Sequence, residues 1–282
     1  TKKAKDGLHT LGMHGESSMT KLAKLGMAMM VFQQLSTYVQ QFSNSFIQYE
    51  RGLADLSAIT GVTGKALDDL GQRARSMALE FGGTAVAQIE SFKGILSRFG
   101  PDIAKSPEAL ERMSRAINTV SVASGLDAKT SMDALTTAML QFNISLADPV
   151  KAAGEMEKMM HIMAAGAKEG AAEIPSIADA LKEAGVMAYG SKVSFEEVNA
   201  AIQVLASGGK AGSEAGTALR NVLAKLQDQS KEAQKELKKV GVNSLELGQI
   251  LTTQGLTRAL EYLQSGFNRL GSDAEKNRLL IN

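Results

Sequence analysis

The chain contains no cysteine and no tryptophan, only four prolines, and three histidines in 282 residues. The lack of cysteine excludes a disulfide framework, a thiolate metal site and a cysteine nucleophile. Net charge is nearly absent too, with 31 Lys and Arg against 30 Asp and Glu. That balance supplies no field to concentrate a polyanion, so sequence-specific nucleic-acid binding is not expected. Aromatic residues make up 5% of the chain, and none interleaves with arginine as in single-strand binders. The period-two alternation of a half-buried strand is missing as well.

What the chain has is helix-forming sequence: 44% hydrophobic residues, rich in Ala, Leu and Met, set among Lys, Glu and Gln. Its length suffices for one substantial core with appended helices. The expected fold class is therefore all-α, a multi-helix domain preceded by a long heptad-patterned helix. The opening Thr1-Lys2-Lys3 has no initiator Met and no secretion-signal pattern, so the chain is read as a piece of a longer or processed polypeptide.

Four segments follow from composition. Residues 1–16, with Gly7, Gly12 and Gly15, read as a linker or arm. Residues 17–60 read as a long assembly helix. Its apolar positions Leu22, Leu25, Met29, Phe32, Leu35, Val39, Phe42, Phe46, Tyr49 and Leu53 step by three and four, with one stammer-like short step at Phe32 to Leu35. No charge occurs from Leu25 to Tyr49, so water suits almost none of its circumference, and Leu25, Met29, Phe32, Leu35, Val39, Phe42 and Phe46 are assigned as an assembly seam. Residues 61–243 form the main helical domain, and residues 244–282 a C-terminal helical extension.

Within the domain, caps and stripes predict helices near 63–81, 84–99, 106–124, 127–143, 149–165, 175–189, 194–207, 213–228, 231–240 and 256–266. Ser106-Pro107-Glu108 offers an N-cap, a proline at the first helical position and an acid at the positive end of the dipole; Asp148-Pro149 repeats the logic. Ser194-Phe195-Glu196-Glu197 spells a capping box, with Glu197 reaching back to Ser194. Core stripes run Leu110, Met113, Ile117, Val120 and Met132, Leu135, Met139, Phe142.

No catalytic set assembles from these residues. His9 and His14 are five apart and miss the one-face spacing of a helical zinc motif. His161 stands among Met156, Met159, Met160 and Met163, a donor set a soft ion such as Cu(I) could use, but that spacing is also the signature of a pliable packing stripe, which is the reading adopted. The glycine run from Gly208 to Thr217 fails the P-loop spacing; it reads as a helix stop, a tight turn and a new helix in which Gly216 admits a close neighbour. The mixed charges of 227–239 read as a solvated helix face. No cofactor, no metal and no enzymatic activity are expected. The carboxylates sit at caps and exposed faces, without the flanking pair a peptidoglycan hydrolase needs.

Read in order, several segments resemble the conserved domain of phage tail tape-measure proteins. They are Leu53-Ala54-Asp55-Leu56-Ser57-Ala58-Ile59-Thr60-Gly61-Val62-Thr63, then Leu70 to Phe81 with Gly82-Gly83-Thr84, Val120 to Gly125, and Val198 to Leu205. The most specific piece is Gly212-Ser213-Glu214-Ala215-Gly216-Thr217-Ala218-Leu219-Arg220, continuing to Leu226, Leu237 and Val240-Gly241-Val242. Gly212, Ser213, Ala215, Gly216, Thr217, Leu219 and Arg220 are taken as the family motif.

The resemblance implies a structural virion protein of the tail lumen, assembled in the bacterial host cytoplasm, that helps set tail length and leaves during genome ejection. It implies self-association as a trimer, contacts with tail tube and tail tip proteins, and an encounter with the host membrane during infection. A very long helical ruler, membrane-spanning helices and a wall-cleaving domain are not seen in this sequence. The alternative is a membrane-active pore former or injected effector, against which Gln33, Gln34, Gln40, Gln41, Ser43, Asn44 and Ser45 interrupt any apolar span of about 20 residues.

Overall fold

In the computed structural model, residues 40 and 43–269 are described. The chain divides into two compact units, one ending at Asp55 and the other beginning at Leu56. The arm 1–16, the seam residues Leu25, Met29, Phe32, Leu35, Val39 and Phe42, and residues 270–282 lie outside the described part, so the long heptad helix is not seen as a whole. Its described portion, α1 (43–60), is helical, with Phe46 and Ile47 55% and 42% exposed.

All regular structure among the described residues is helical, as the composition requires. The elements after α1 are α2 (Lys65–Phe81), α3 (Ala85–Phe99), a 3-10 turn (Pro101–Lys105), α4 (Pro107–Ser124), α5 (Ala128–Gln141), α6 (Pro149–Glu169), α7 (Ile174–Gly190), α8 (Phe195–Ser207), α9 (Gly212–Leu226), α10 (Lys231–Lys239), α11 (Ser244–Gln254) and α12 (Leu256–Asn268). Several starts are fixed by caps the sequence announces. Ser106 accepts from Ala109 N, and Asp148 accepts from Val150 N and Lys151 N.

The 3-10 turn was not anticipated, and α11 falls in the expected helical extension 244–282 without having been drawn as a helix of its own. The Gly248, Thr252 and Thr253 positions weaken the helical signal of α11, but Asn243 caps it by accepting from Leu245 N and Glu246 N. A third departure is α6, expected to span about 149–165. It continues to Glu169 because Gly166 is a docking place: the Asn199 side chain of α8 occupies the space a Cβ would take.

The helices stack in two layers in which next-but-one helices run parallel. Contact positions advance together along both partners. In the even layer, Arg73 and Glu80 of α2 meet Glu111 and Arg115 of α4; Arg112 meets Glu157 of α6; Lys158 and Ala172 meet Glu196 and Gln203 of α8. In the odd layer, Gly94 and Arg98 of α3 meet Met132 and Asp133 of α5; Gln141 and Asn143 meet Gly185 and Tyr189 of α7; Ser176 and Ser191 meet Gly212 and Gln227 at the two ends of α9. From α2 to α9 each helix thus touches its chain neighbours and its next-but-one partners, the logic of stacked helical hairpins.

The core lies between the layers, where Leu70, Met77, Ile89, Phe92, Leu110 and Met113 are fully buried, as are Ile117, Leu135, Met156 and Leu181. Phe142 meets Phe195 edge to face at 5.1 Å, tying the end of α5 to the start of α8.

Candidate functional site

The pattern singled out as most specific in the sequence, Gly212 to Arg220, lies along the crossing of α9 with α7. Gly212 sits at φ +56° and its N–H donates to Ser176 Oγ at 2.8 Å, opening the helix on its neighbour. One turn on, Ala215 and Gly216 are buried. A Cβ at Gly216 would overlap the carbonyl oxygen of Ala180 and come within 2.8 Å of both Ala180 Cα and Glu183 Cβ. Leu219 is 2% exposed, while Arg220 lies at the surface with Nη1 3.4 Å from Glu183 Oε2. Beside this line Ser213 is exposed and Thr217 half-buried. The motif therefore brings two backbones into contact; it is a packing device and not a ligand cradle.

The turn before it has the same character. Gly209 at φ +87° reverses the chain after α8, and Lys210 Nζ pairs with Glu214 at 2.7 Å, so the one lysine of the glycine run is engaged within its own helix start. The methionine stripe of α6 is likewise structural. Met156 and Met163 are fully buried and Met159 nearly so, whereas the neighbouring His161 is exposed. His161, Lys168 and Glu173 rim a groove of about 400 Å³ floored by Val120, Met160 and Ile174. Among the described residues no group of three or more His, Asp or Glu could hold a metal ion.

Two polar residues of α8, Asn199 and Gln203, were missed by the sequence reading, although their spacing at core positions beside Val198 and Ile202 was a signal. Asn199 Nδ2 donates to Ile162 O at 3.0 Å. Gln203, nine-tenths buried, clamps one residue by both of its backbone groups: its Oε1 accepts from Ala172 N at 2.7 Å and its Nε2 donates to Ala172 O at 3.0 Å. Glu197 corrects an expectation. Ser194 Oγ accepts from Glu197 N at 3.2 Å, the first half of the capping box. The Glu197 carboxylate, however, does not close the box on the Ser194 backbone. Its Oε2 accepts from the Ser194 hydroxyl at 3.4 Å, and its Oε1 accepts from Thr257 N at 3.1 Å, at the start of α12. The backbone there has no side-chain cap of its own, because its N-cap residue is Gly255.

Charged bridges recur at successive junctions of the even layer. Arg73 joins Asp69 at 2.9 Å and also Glu111; Arg115 joins Glu111 at 3.0 Å and also Glu80. Arg112 grips Glu157 through two nitrogens at 2.9 and 2.5 Å, and Lys158 meets Glu196 at 2.8 Å. The hydrogen bond from Arg112 holds the Glu157 carboxyl below its usual range, and that from Lys158 does the same for Glu196. A carboxylate depressed in the folded state contributes stability above its unfolded value of about 4.3, and the contribution fades as pH falls through the folded value. The urea midpoint is thus expected to be level above about pH 5.5 and to fall below it. Arg112→Met removes the share of that slope carried by Glu157; an unchanged acid slope in this variant would contradict the assignment.

No solved structure gives a significant match. The chain is 25% identical over 232 residues to the tape measure protein of Pneumococcus phage Dp-1, an alignment covering 81% of this chain and 19% of that protein. The family described as phage-related minor tail protein matches residues 64–282, a span that contains the helices α2 to α12. A match over most of the chain, in the segment whose stacked helices and glycine crossing have just been described, means that this chain belongs to the phage-related minor tail protein family.

Proposed function

We propose that the chain is a structural part of a tape measure protein that occupies the tail lumen, helps set tail length during assembly and is released as the genome is ejected. The observation that carries the reading is the family match over 64–282, together with the likeness to a protein that itself bears the tape measure name. Because the chain spans about 19% of that relative's length, it is proposed as one folded station of a longer protein, assembled in the host cytoplasm and acting without catalysis. Antibody raised against residues 107–226 tests the location. Intact tails should be unlabelled, and the antigen should appear in the medium once ejection is triggered. Labelling along the outside of intact tails, or absence of these peptides from purified particles, would sink the proposal.

Self-association, as a trimer, is proposed to run through the seam from Leu25 to Phe46, contacting tail tube and tail tip proteins around it. The exposure of Phe46 and Ile47 in the described end of that segment supports it. Placing Asp at both Phe32 and Phe42 should abolish the oligomer, since two unpaired charges per helix would have to be desolvated. Light scattering on wild type and double mutant reads the result, and a monomeric wild type at micromolar concentration would refute it. The membrane-active alternative has less support: no helix among the described residues is long and apolar enough to cross a membrane.

A further inference from the structure

The α11–α12 hairpin is bound tightly to itself and sparingly to the rest of its unit. Within it, Leu247, Leu251, Leu256 and Ala259 are buried, and Tyr262 Oη donates to Glu246 Oε2 at 2.7 Å. Gly266 packs on the strand of chain just before the hairpin, with its Cβ position 2.8 Å from Val240 O. The helix that leads into it, α10, buries none of its residues. The stack therefore passes to the hairpin through a solvated tether. Besides the packing of α11 on α9, two polar links hold it: Gln229 Nε2 donates to Ser244 O at 2.9 Å, and Glu197 of α8 accepts from Thr257 N at 3.1 Å across 60 positions of sequence.

The second link is built for one occupant. The first amides of α12 have no intrahelical acceptors, and its N-cap Gly255 offers no side chain, so the positive end of the helix is unsatisfied without Glu197. Gly255 lies at φ +95°, and a Cβ there would sit 2.7 and 2.8 Å from the two carboxylate oxygens. Glycine is required at 255 both by the backbone and by the carboxylate resting against it. A charge borrowed from a neighbouring helix does the capping that a local side chain performs at the starts of α3 to α6, α8, α10 and α11.

We propose that Glu197 is a latch, and that α11–α12 is a separately releasable unit at the end of the stack, tethered by α10 and held shut by this carboxylate. Releasing the latch frees the hairpin while the layers from α4 to α7 stay folded, as expected where stability is a sum of neighbour terms. The test is hydrogen exchange by mass spectrometry on the full chain. Glu197→Gln keeps an acceptor but removes the charge, and Glu197→Ala removes both. Amides of 244–266 should exchange about tenfold faster in Glu197→Ala and by a smaller factor in Glu197→Gln. Amides of α4 to α7 should not change. Gly255→Ala, which keeps the carboxylate but displaces it, should reproduce the pattern. Unchanged exchange in 244–266, or an acceleration spread evenly over the stack, would overturn the proposal.

Discussion

Replacing Gly216 with leucine is expected to lower the unfolding free energy by about 3 kcal/mol, with a fall in Tm on the order of 6–12 °C for a domain of this size. Two effects oppose one another at this position. Any side chain in a helix interior gains over glycine, by about 1 kcal/mol for alanine, through reduced unfolded-state entropy. Against that stands the position of Ala180, whose carbonyl oxygen and Cα occupy the space a Cβ needs. A side chain can rotate away from an intruder, whereas a helix backbone can yield only by moving α7 and α9 apart along their whole crossing. Overpacking therefore wins even for Gly216→Ala, expected to cost about 1–2 kcal/mol net. Gly154 supplies the contrast: it too lies inside a helix, but a Cβ there meets only Arg112 Nη2 at 3.7 Å. Gly154→Ala should be neutral or stabilising by about 0.5–1 kcal/mol. Urea unfolding of the three variants measures the difference, and equal midpoints for Gly216→Ala and Gly154→Ala would show that the close crossing is absent.

Replacing Gln203 with leucine should be of similar severity, about 2–4 kcal/mol, for a different reason. Leucine is close in volume and more apolar, so by burial alone it would be harmless. But Gln203 satisfies both the N–H and the C=O of Ala172, a residue 1% exposed. Removing it leaves a buried donor and a buried acceptor without partners, each costing about 1–3 kcal/mol. Room for the clamp is provided by Gly170, whose Cβ position lies within 2.8 Å of Gln203 Cγ. Gly170→Ala is expected to perturb the same junction by displacing the amide. Denaturation with an unchanged m-value would report the loss cleanly, and a Gln203→Leu protein as stable as wild type would show that water or a rearranged loop satisfies Ala172.

These two residues mark how far the sequence alone could go. Gly216 was legible, because it stands in a helix-period run between Ala215 and the apolar face of Leu219 and Leu223, where a glycine has no local reason to be. Helix type and most boundaries were legible for the same cause: Ser106, Asp148 and Ser194 act on amides two or three residues away, so the interaction is contained in the local string. The all-α class and the buried stripes of α4 and α5 were fixed by period and composition.

What tertiary structure decided was every partner distant in sequence. Gln203 carries no local mark of the residue it clamps 31 positions away, and Glu197 looks like half of a capping box until α12 is placed beside it. Nothing local marks Gly166 as the place where the Asn199 side chain docks. The parallel stacking of next-but-one helices belongs to the same class, since a stripe says which face of a helix is buried but not against what. Local hydrogen bonds and periodicity are properties of the chain; the choice of partner is a property of the packed layers, and it is there that the polar groups of α8 acquired their roles.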